Sequence, residues 1–476
     1  MSSKSVPLVI DLDGTLLRTD LLIESGLSFV RDNPARALAP LMWLRHGKAA
    51  LKERLAAETD VDPSVLPYES EVLALIDAAR RDGRRVVLAT ASHARLAQAV
   101  AEHLDCFDEV LATRDGENLS AHRKRDRLVE RFGERGFDYA GNGTADLPVW
   151  AAARQAYVVN ARGGVERRAH DAGNVAGVIA PRVPRAADWI AALRLHQWAK
   201  NLLLFVPLIT SHQFADPALL GQALLAFVLF GLCASSVYLL NDLLDLGDDR
   251  HHRSKRLRPF AAGRLPVEAG VIASPALLVL AFGIAMLTLP WAFVGVLAAY
   301  YSLTLAYSLR LKRIVAVDVI VLAALYTLRI VAGAAALGIA LTFWILAFSM
   351  FVFLSLALLK RYTELRDARE DGCTEKTRGR DYHPDDLEMI APLGAAAGYL
   401  AVLVLALYIN EPTTAAQYAQ PELIWFACPL LLFWITRVWM LAHRGAVHDD
   451  PVLFALRDRS SLIVGVLFAA VFWIAA

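Results

Sequence analysis

Three aspartates in the stretch NDLLDLGDD have a spacing that could hold a divalent cation. Asp242, Asp245 and Asp249 stand at positions i, i+3 and i+7, so a continuous helix would place them on one face. Three converging carboxylates repel one another, and a bound cation removes that repulsion. Their hard oxygen atoms suit Mg²⁺, which commonly bridges to substrate phosphates. The stretch therefore predicts a magnesium site for a diphosphate, with Asn241 as a neutral partner.

Basic residues follow these aspartates directly. They are Arg253, Lys255, Arg256, Arg258 and Arg264. Such side chains could hold the same anionic group through charge-assisted hydrogen bonds, and Lys255, Arg256 and Arg258 are the candidates for substrate contact. The alternative is a solvated helix end whose bases only anchor the chain at a membrane surface.

A second set of candidate residues lies near the start of the chain. Asp11 follows the apolar run VPLVI and Asp13 stands two positions later; Thr90 stands near the end of the run RRVVLATAS, Lys124 follows, and Asp146 comes after FDYAG. Apolar runs that alternate with helical segments predict a parallel α/β sheet, and the carboxyl ends of such strands meet at one edge. The five side chains are therefore expected to gather at one site.

The composition divides the chain into two parts. Hydrophobic residues make up 56% of the 476 residues, and the mean hydropathy is +0.41, which is too apolar for an ordinary soluble protein. The first 185 residues read as a mixed soluble domain, whereas residues 186–476 contain repeated apolar runs that are long enough to cross a bilayer. A net charge of +1 argues against general nucleic-acid binding.

Nine membrane spans are predicted in the second part. They lie at about 197–212, 218–241, 267–288, 291–309, 314–336, 341–360, 388–409, 421–443 and 458–476. Alternate loops are rich in Lys and Arg, so the positive-inside rule places them, the amino terminus and both sites in the cytoplasm. The carboxyl terminus is then outside. The predicted location is the inner (plasma) membrane.

The first part resembles the HAD phosphatase family on its DLDGT motif and on the later Thr90, Lys124 and Asp146. The resemblance implies that Asp11 is the nucleophile, Asp13 the general acid and base and a metal ligand, Thr90 and Lys124 phosphate holders, and Asp146 a Mg²⁺ ligand. Where the family usually has an acid after glycine, this chain has Asn142. The alternative is a scaffold without activity. The segment between Asp13 and Thr90 predicts an inserted helical cap.

The second part resembles the UbiA-type intramembrane prenyltransferases on the motif NDLLDLGDD. Most members have a second aspartate-rich motif, whereas the matching region here has a single Asp318 followed by Arg329. Further candidate substrate-binding residues on this resemblance are Lys200, Asn201, Asp318, Lys360 and Arg361. Lys200 could alternatively be an interfacial anchor, and Arg329 a structural partner inside its span.

The pattern of a single Asp318 followed by Arg329 is similar to that of one branch of the family, the decaprenyl-phosphate phosphoribosyltransferases. RLHQWAKNLLLFVPLI and LLKRYTEL also match this branch. The resemblance implies transfer of 5-phosphoribose from phosphoribosyl diphosphate to a polyprenyl phosphate with release of diphosphate. The product would carry a monoester phosphate at C5, so we further expect the first domain to remove the 5-phosphate. The alternative is transfer of a prenyl group to an aromatic acceptor, with a phosphatase that acts on a separate substrate.

Overall fold

The computed structural model describes residues 6–114, 116–370, 372, 380–411, 418–447 and 450–475. The chain divides into two compact units. One unit comprises Met1–Leu193 and Tyr238–Pro275, and the other comprises Arg194–Val237 and Ala276–Ala476. The domain boundary between residues 185 and 186 stays a prediction.

One parallel sheet of six strands forms the centre of the first unit, and its strand order is β3-β2-β1-β4-β5-β6. The strands are β1 (Leu8–Ile10), β2 (Val86–His93), β3 (Glu109–Thr113), β4 (Asp138–Gly141), β5 (Ala156–Val159) and β6 (Val175–Ile179). In β1, Leu8 and Ile10 belong to the core on one face of the sheet and Val9 to the core on the other face. A strand buried on both faces has a continuous apolar sequence, so the predicted α/β fold is confirmed.

Helices connect and cover these strands. They are α1 (Leu21–Asp32), α2 (Ala39–Leu44), α3 (Lys48–Glu58), α4 (Ser70–Arg81), α5 (Ala94–Leu104), α6 (His122–Phe132), α7 (Leu147–Ala152), α8 (Val165–His170) and α9 (Ala186–Leu193). Helices α1 to α3 occupy the position of the predicted cap, between β1 and β2. They share a small core of Phe29, Trp43, Leu51 and Leu55.

The described residues that follow are mostly helical. Their helices are α10 (Val206–Thr210), α11 (Pro217–Leu244), α12 (Leu246–His251), α13 (Val267–Thr288), α14 (Trp291–Leu309), α15 (Val317–Leu337), α16 (Phe343–Glu370), α17 (Leu387–Ile409), α18 (Ala427–His443), α19 (Pro451–Ala455) and α20 (Arg459–Ala475). Seven of these segments in the described part of the chain are long and apolar enough to cross a membrane, and they match seven predicted spans.

The prediction of nine spans is not confirmed. Its first span, at about 197–212, is a 3₁₀ segment, Leu195–Phe205, followed by the five residues of α10. Pro207 in this region lacks the N–H that a longer helix would need. The last helix, α20, is apolar but has only 17 residues. The predicted orientation of the termini stays a prediction.

The 3₁₀ segment packs closely on α15. A Cβ atom built on Gly333 would overlap the carbonyl oxygen of Leu204, so only glycine permits this approach. Gly283 in α13 is different, because a Cβ atom there would meet no atom within 4 Å. The two glycines form a matched pair for testing the packing.

We expect Gly333→Ala to destabilise the protein by about 1–3 kcal/mol, because the added methyl group forces the two backbones apart. Gly283→Ala should leave stability unchanged or raise it slightly, since alanine favours helix. Thermal unfolding in detergent measures both variants. Equal melting temperatures for Gly333→Ala and the parent protein would contradict the close packing.

Candidate active sites

The end of β1 brings a carboxylate and an ammonium group into contact. Lys124 Nζ donates to Asp11 Oδ1 at 2.8 Å and to the Tyr139 hydroxyl at 2.9 Å, and it lies 3.6 Å from Asp146 Oδ1. Burial raises the pKa of Asp11 to about 6, although Lys124 beside it acts in the opposite direction. The structure therefore brings together three of the five side chains predicted for this site.

Asp13 faces the neighbouring strand and the cap. Its Oδ1 accepts from the Leu21 N–H at 2.9 Å, and its Oδ2 accepts from the Ser92 hydroxyl. Burial, followed by the negative charge of Asp20, raises the pKa of Asp13 to about 7. A carboxyl group with this pKa exchanges protons near neutral pH, as a general acid and base requires.

Thr90 is fully buried within β2. Its Oγ1 accepts from the Ser92 N–H at 2.9 Å. This bond uses a lone pair of the hydroxyl oxygen and not its proton. The predicted role of Thr90 as a phosphate donor is therefore chemically open to it.

The loop after β4 carries the amide that replaces the family's usual acid. Asp146 Oδ2 accepts from the N–H groups of Asn142 and Gly143, both at 3.0 Å, while Oδ1 accepts from Tyr139 at 2.7 Å. A Cβ atom on Gly14 would overlap the Asn142 side-chain amide. The hydrogen bonds of Asp146 thus fix the conformation of a loop in which the Asn142 side chain lies against Gly14, in the turn after Asp11 and Asp13.

This arrangement fits a magnesium ion in part. Among the residues that the structure describes, no three His, Cys, Asp or Glu side chains are close enough to form a ready ligand set. The buried oxygens of Asp11 and Asp13 are nonetheless hard ligands whose raised pKa values a divalent cation would lower. Asp146 already accepts three hydrogen bonds, so its role as a metal ligand stays a prediction.

The aspartate-rich motif spans two helices and not one. Helix α11 ends at Leu244, Asp245 has non-helical angles (φ −94°, ψ 13°), and α12 then begins. Asp242 and Asp249 are both 2% exposed, whereas Asp245 and Asn241 are partly exposed. The prediction of one continuous helix is therefore wrong, but Asp242 and Asp249 are still both buried.

Arg258 lies between these two carboxylates. Its Nη1 donates to Asp242 Oδ1 at 3.1 Å and to Asp249 Oδ2 at 2.6 Å. Burial raises the pKa of Asp249 to about 6, against the opposing effect of Arg258. The other two bases predicted to contact substrate, Lys255 and Arg256, are exposed. Arg258 is thus shared by two buried carboxylates, whose hard oxygen atoms suit a divalent cation.

The second unit contains a cluster of two lysines and one aspartate. Asp450 Oδ2 lies 2.6 Å from Lys200 Nζ and 3.5 Å from Lys360 Nζ, and Asp450 Oδ1 accepts from Tyr326 at 3.3 Å. Burial alone would raise the pKa of Asp450, but the two ammonium groups hold it well below its usual range. Among the described residues, one carboxylate here faces two ammonium groups, so these three side chains together carry excess positive charge.

Asn201 and Arg329 form a buried pair. Asn201 Oδ1 accepts from Arg329 Nε at 3.2 Å, and the guanidinium also lies over the rings of Phe230, Tyr300 and Tyr326. The Asn201 Nδ2 is buried without a hydrogen-bond partner among the described residues. An amide donor left in this state is costly unless a ligand accepts from it.

Asp318 and Arg361 contact each other. Arg361 Nε lies 2.8 Å from Asp318 Oδ2, and the Tyr307 hydroxyl donates to Asp318 Oδ1 at 2.8 Å. Arg361 also pairs with Glu364. Both predicted substrate-binding residues are therefore engaged in a buried network, and their role toward substrate stays a prediction.

Several residues in these clusters were not predicted as site residues. They are Ser92, Tyr139, Tyr326 and Asp450. Asp450 is 250 positions from Lys200, and nothing in its local sequence distinguishes it from other loop aspartates. Ser92 stands two positions after Thr90, and this place near the end of β2 is the sequence feature that could have identified it as a site residue.

Comparisons with known proteins match both parts of the chain. Residues 202–462 match the UbiA prenyltransferase family and residues 35–151 match haloacid dehalogenase-like hydrolases. An uncharacterised protein of Sinorhizobium fredii, y4nM, is 38% identical over 471 residues, covering 98% of this chain and 91% of that protein.

A second relative is named decaprenyl-phosphate phosphoribosyltransferase, from Mycolicibacterium smegmatis. It is 31% identical over 301 residues, which cover 60% of this chain and 89% of the relative. Among solved structures, a UbiA homologue from Archaeoglobus fulgidus bound to GPP and Mg²⁺ matches with a TM-score of 0.45 and 17% identity. That match covers 61% of this chain and all of the other.

We expect Arg258→Met to lower the thermal stability of the protein without Mg²⁺, because the variant leaves Asp242 and Asp249 buried without their shared cation. Adding Mg²⁺ should restore part of the loss, since the ion supplies the missing charge. Arg256→Met, which changes an exposed base two positions away, is the matched control. A melting temperature of Arg258→Met that equals that of Arg256→Met, with and without Mg²⁺, would contradict the role of Arg258.

Proposed function

The chain belongs to the UbiA prenyltransferase family and carries a haloacid dehalogenase-like hydrolase domain, and from this premise we propose that it is a bifunctional membrane enzyme. Its membrane domain transfers 5-phosphoribose from phosphoribosyl diphosphate to a polyprenyl phosphate and releases diphosphate. Its hydrolase domain then removes the 5-phosphate. The relative named for the first reaction, 31% identical, supports this substrate class.

The observation that carries the proposal is the contact of the partly exposed Arg258 with the buried Asp242 and Asp249 at the end of a long apolar helix. Asp242 and Asp249 are the residues that would hold Mg²⁺, and the ion would neutralise charge on a diphosphate leaving group. Arg258 keeps the two carboxylates together and offers its remaining N–H groups to phosphate oxygens.

The positive cluster of the second unit supports binding of a phosphate. Lys200 and Lys360 exceed the charge of Asp450, and a phosphate group would balance the difference. The Asn201 Nδ2 offers a further donor. In this reaction the phosphate of the lipid attacks C1 of the ribose as the C1–diphosphate bond breaks. The attacking group is already an anion, so positioning and charge neutralisation supply the catalysis.

The hydrolase site suits the second step. After transfer, the phosphate at C1 is a diester and the phosphate at C5 is a monoester. Asp11 attacks the monoester phosphorus while Asp13 gives its proton to the departing C5 oxygen, and Asp13 then deprotonates the water that hydrolyses the aspartyl phosphate. Lys124, in contact with Asp11, is positioned to offset negative charge on the phosphate. Inorganic phosphate is released and the enzyme is regenerated.

We expect Asp242→Asn to reduce phosphoribosyl transfer by at least a hundredfold, because charge at the metal site is lost while side-chain volume is kept. Asp248→Asn is the matched control. Its side chain is 76% exposed on the next helix, α12, and the transfer rate of this variant should stay within twofold of the parent. Transfer is followed with radiolabelled phosphoribosyl diphosphate and polyprenyl phosphate. A wild-type rate in Asp242→Asn would refute the assignment, and transfer of a prenyl group to an aromatic acid would support the alternative.

We expect Asp11→Asn to accumulate the 5-phosphorylated lipid, because the amide cannot attack phosphorus and the membrane reaction is untouched. The parent protein should yield polyprenyl-phosphoryl-ribose. Mass spectrometry of extracted lipids measures the ratio of the two products, and the exposed Asp126→Asn serves as control. An unchanged ratio in Asp11→Asn would mean that the hydrolase domain acts on another substrate.

A further inference from the structure

A buried ion pair joins the cap of the hydrolase domain to the aspartate-rich segment within the first unit. Arg250 Nη1 and Nη2 donate to the two carboxylate oxygens of Glu24 at 2.8 and 2.6 Å. Arg250 Nε donates to the Ala261 carbonyl at 3.1 Å. The side chains of Arg250 and Glu24 are only 4% and 7% exposed. All three nitrogen atoms of the guanidinium group therefore donate hydrogen bonds, which fixes its orientation.

Such a pair is a costly way to hold two segments together. Both charges leave water, and their attraction only roughly offsets the lost hydration, so hydrophobic packing would serve stability equally well. A bidentate carboxylate contact differs from apolar packing because it permits one geometry. The gain from this pair is therefore positional precision.

On the side of the hydrolase, the pair is attached directly to the catalytic turn. Glu24 lies in the first turn of α1, which begins at Leu21, and the Leu21 N–H donates to Asp13. The Thr19 hydroxyl also donates to Glu24. The position of Glu24 is thus tied to the loop that carries Asp13.

On the other side, the pair is attached to the acidic group. Arg250 follows Asp249, and Ala261 lies three positions after Arg258. The hydrogen bond from Arg250 to Ala261 therefore joins the two ends of segment 249–261, within which Arg258 contacts Asp249. Moving Arg250 would move the carboxylate that is proposed to hold Mg²⁺.

We propose that Glu24 and Arg250 are a positioning pair through which the hydrolase cap sets the geometry of Asp242, Asp249 and Arg258. The transferase function of these three residues rests on the proposed function above. The hydrolase domain is then a structural component of the transferase metal site in addition to being a second enzyme. Loss of Glu24 impairs a site to which Glu24 contributes no ligand.

The test uses the full-length protein and compares Glu24→Gln and Arg250→Met with Arg31→Met. Arg31 is the matched control because its contact with Asp248 joins the same α1 and α12 but is solvent-exposed. Hydrogen exchange is measured first, without substrate or metal. Amides of residues 242–261 should exchange faster in Glu24→Gln, and those of 21–32 faster in Arg250→Met, whereas Arg31→Met should match the parent. Parent-like exchange in both buried-pair variants would overturn the proposal.

Kinetics form the second arm. Glu24→Gln should raise the KM for phosphoribosyl diphosphate and the Mg²⁺ concentration at half-maximal rate by about tenfold or more, as is usual when a partner behind a metal site is lost. A purely structural defect would instead lower the active fraction and leave KM unchanged, which would overturn the proposal. If Glu24→Gln fails to fold, Arg250→Lys replaces it, since lysine keeps the charge and loses the bidentate geometry. If the parent protein shows no transfer, the proposed function fails, and hydrogen exchange still decides the positioning role.

Discussion

Carboxylates buried side by side cannot all remain ionised without a cation among them, and this electrostatic constraint organises the first unit. At the end of β1, the ammonium of Lys124 contacts Asp11 and lies near Asp146. The pKa of Asp11 is nevertheless raised to about 6, chiefly by burial. Lys124 alone therefore does not offset the cost of burying the Asp11 carboxylate, and a divalent cation at this site would supply further positive charge.

The same constraint applies to the aspartate-rich segment. Arg258 contacts both Asp242 and Asp249, and burial still raises the pKa of Asp249 to about 6. The cluster of the second unit has the opposite balance, because its two lysines face one carboxylate. A divalent cation would suit the first kind of site and a phosphate group the second, and the proposed reactions need both.

Features that depend on local sequence pattern are predictable from the sequence. The apolar strand that ends at Asp11 and the length of seven apolar helices are visible in the sequence, and both are confirmed. The break at Asp245 was not foreseen, because i, i+3, i+7 spacing is compatible with a continuous helix. The pairing of Lys200 with Asp450 was also missed, since tertiary packing alone brings together residues 250 positions apart.

Double labelling of phosphoribosyl diphosphate, with ¹⁴C in the ribose and ³²P in the 5-phosphate, tests most directly whether one chain performs both reactions. The full-length protein is incubated with this substrate, polyprenyl phosphate and Mg²⁺. The account predicts that ¹⁴C enters the lipid fraction while ³²P appears as inorganic phosphate. Lipid that retains both labels in their starting ratio would contradict the hydrolase step, and lipid without ¹⁴C would contradict the transferase.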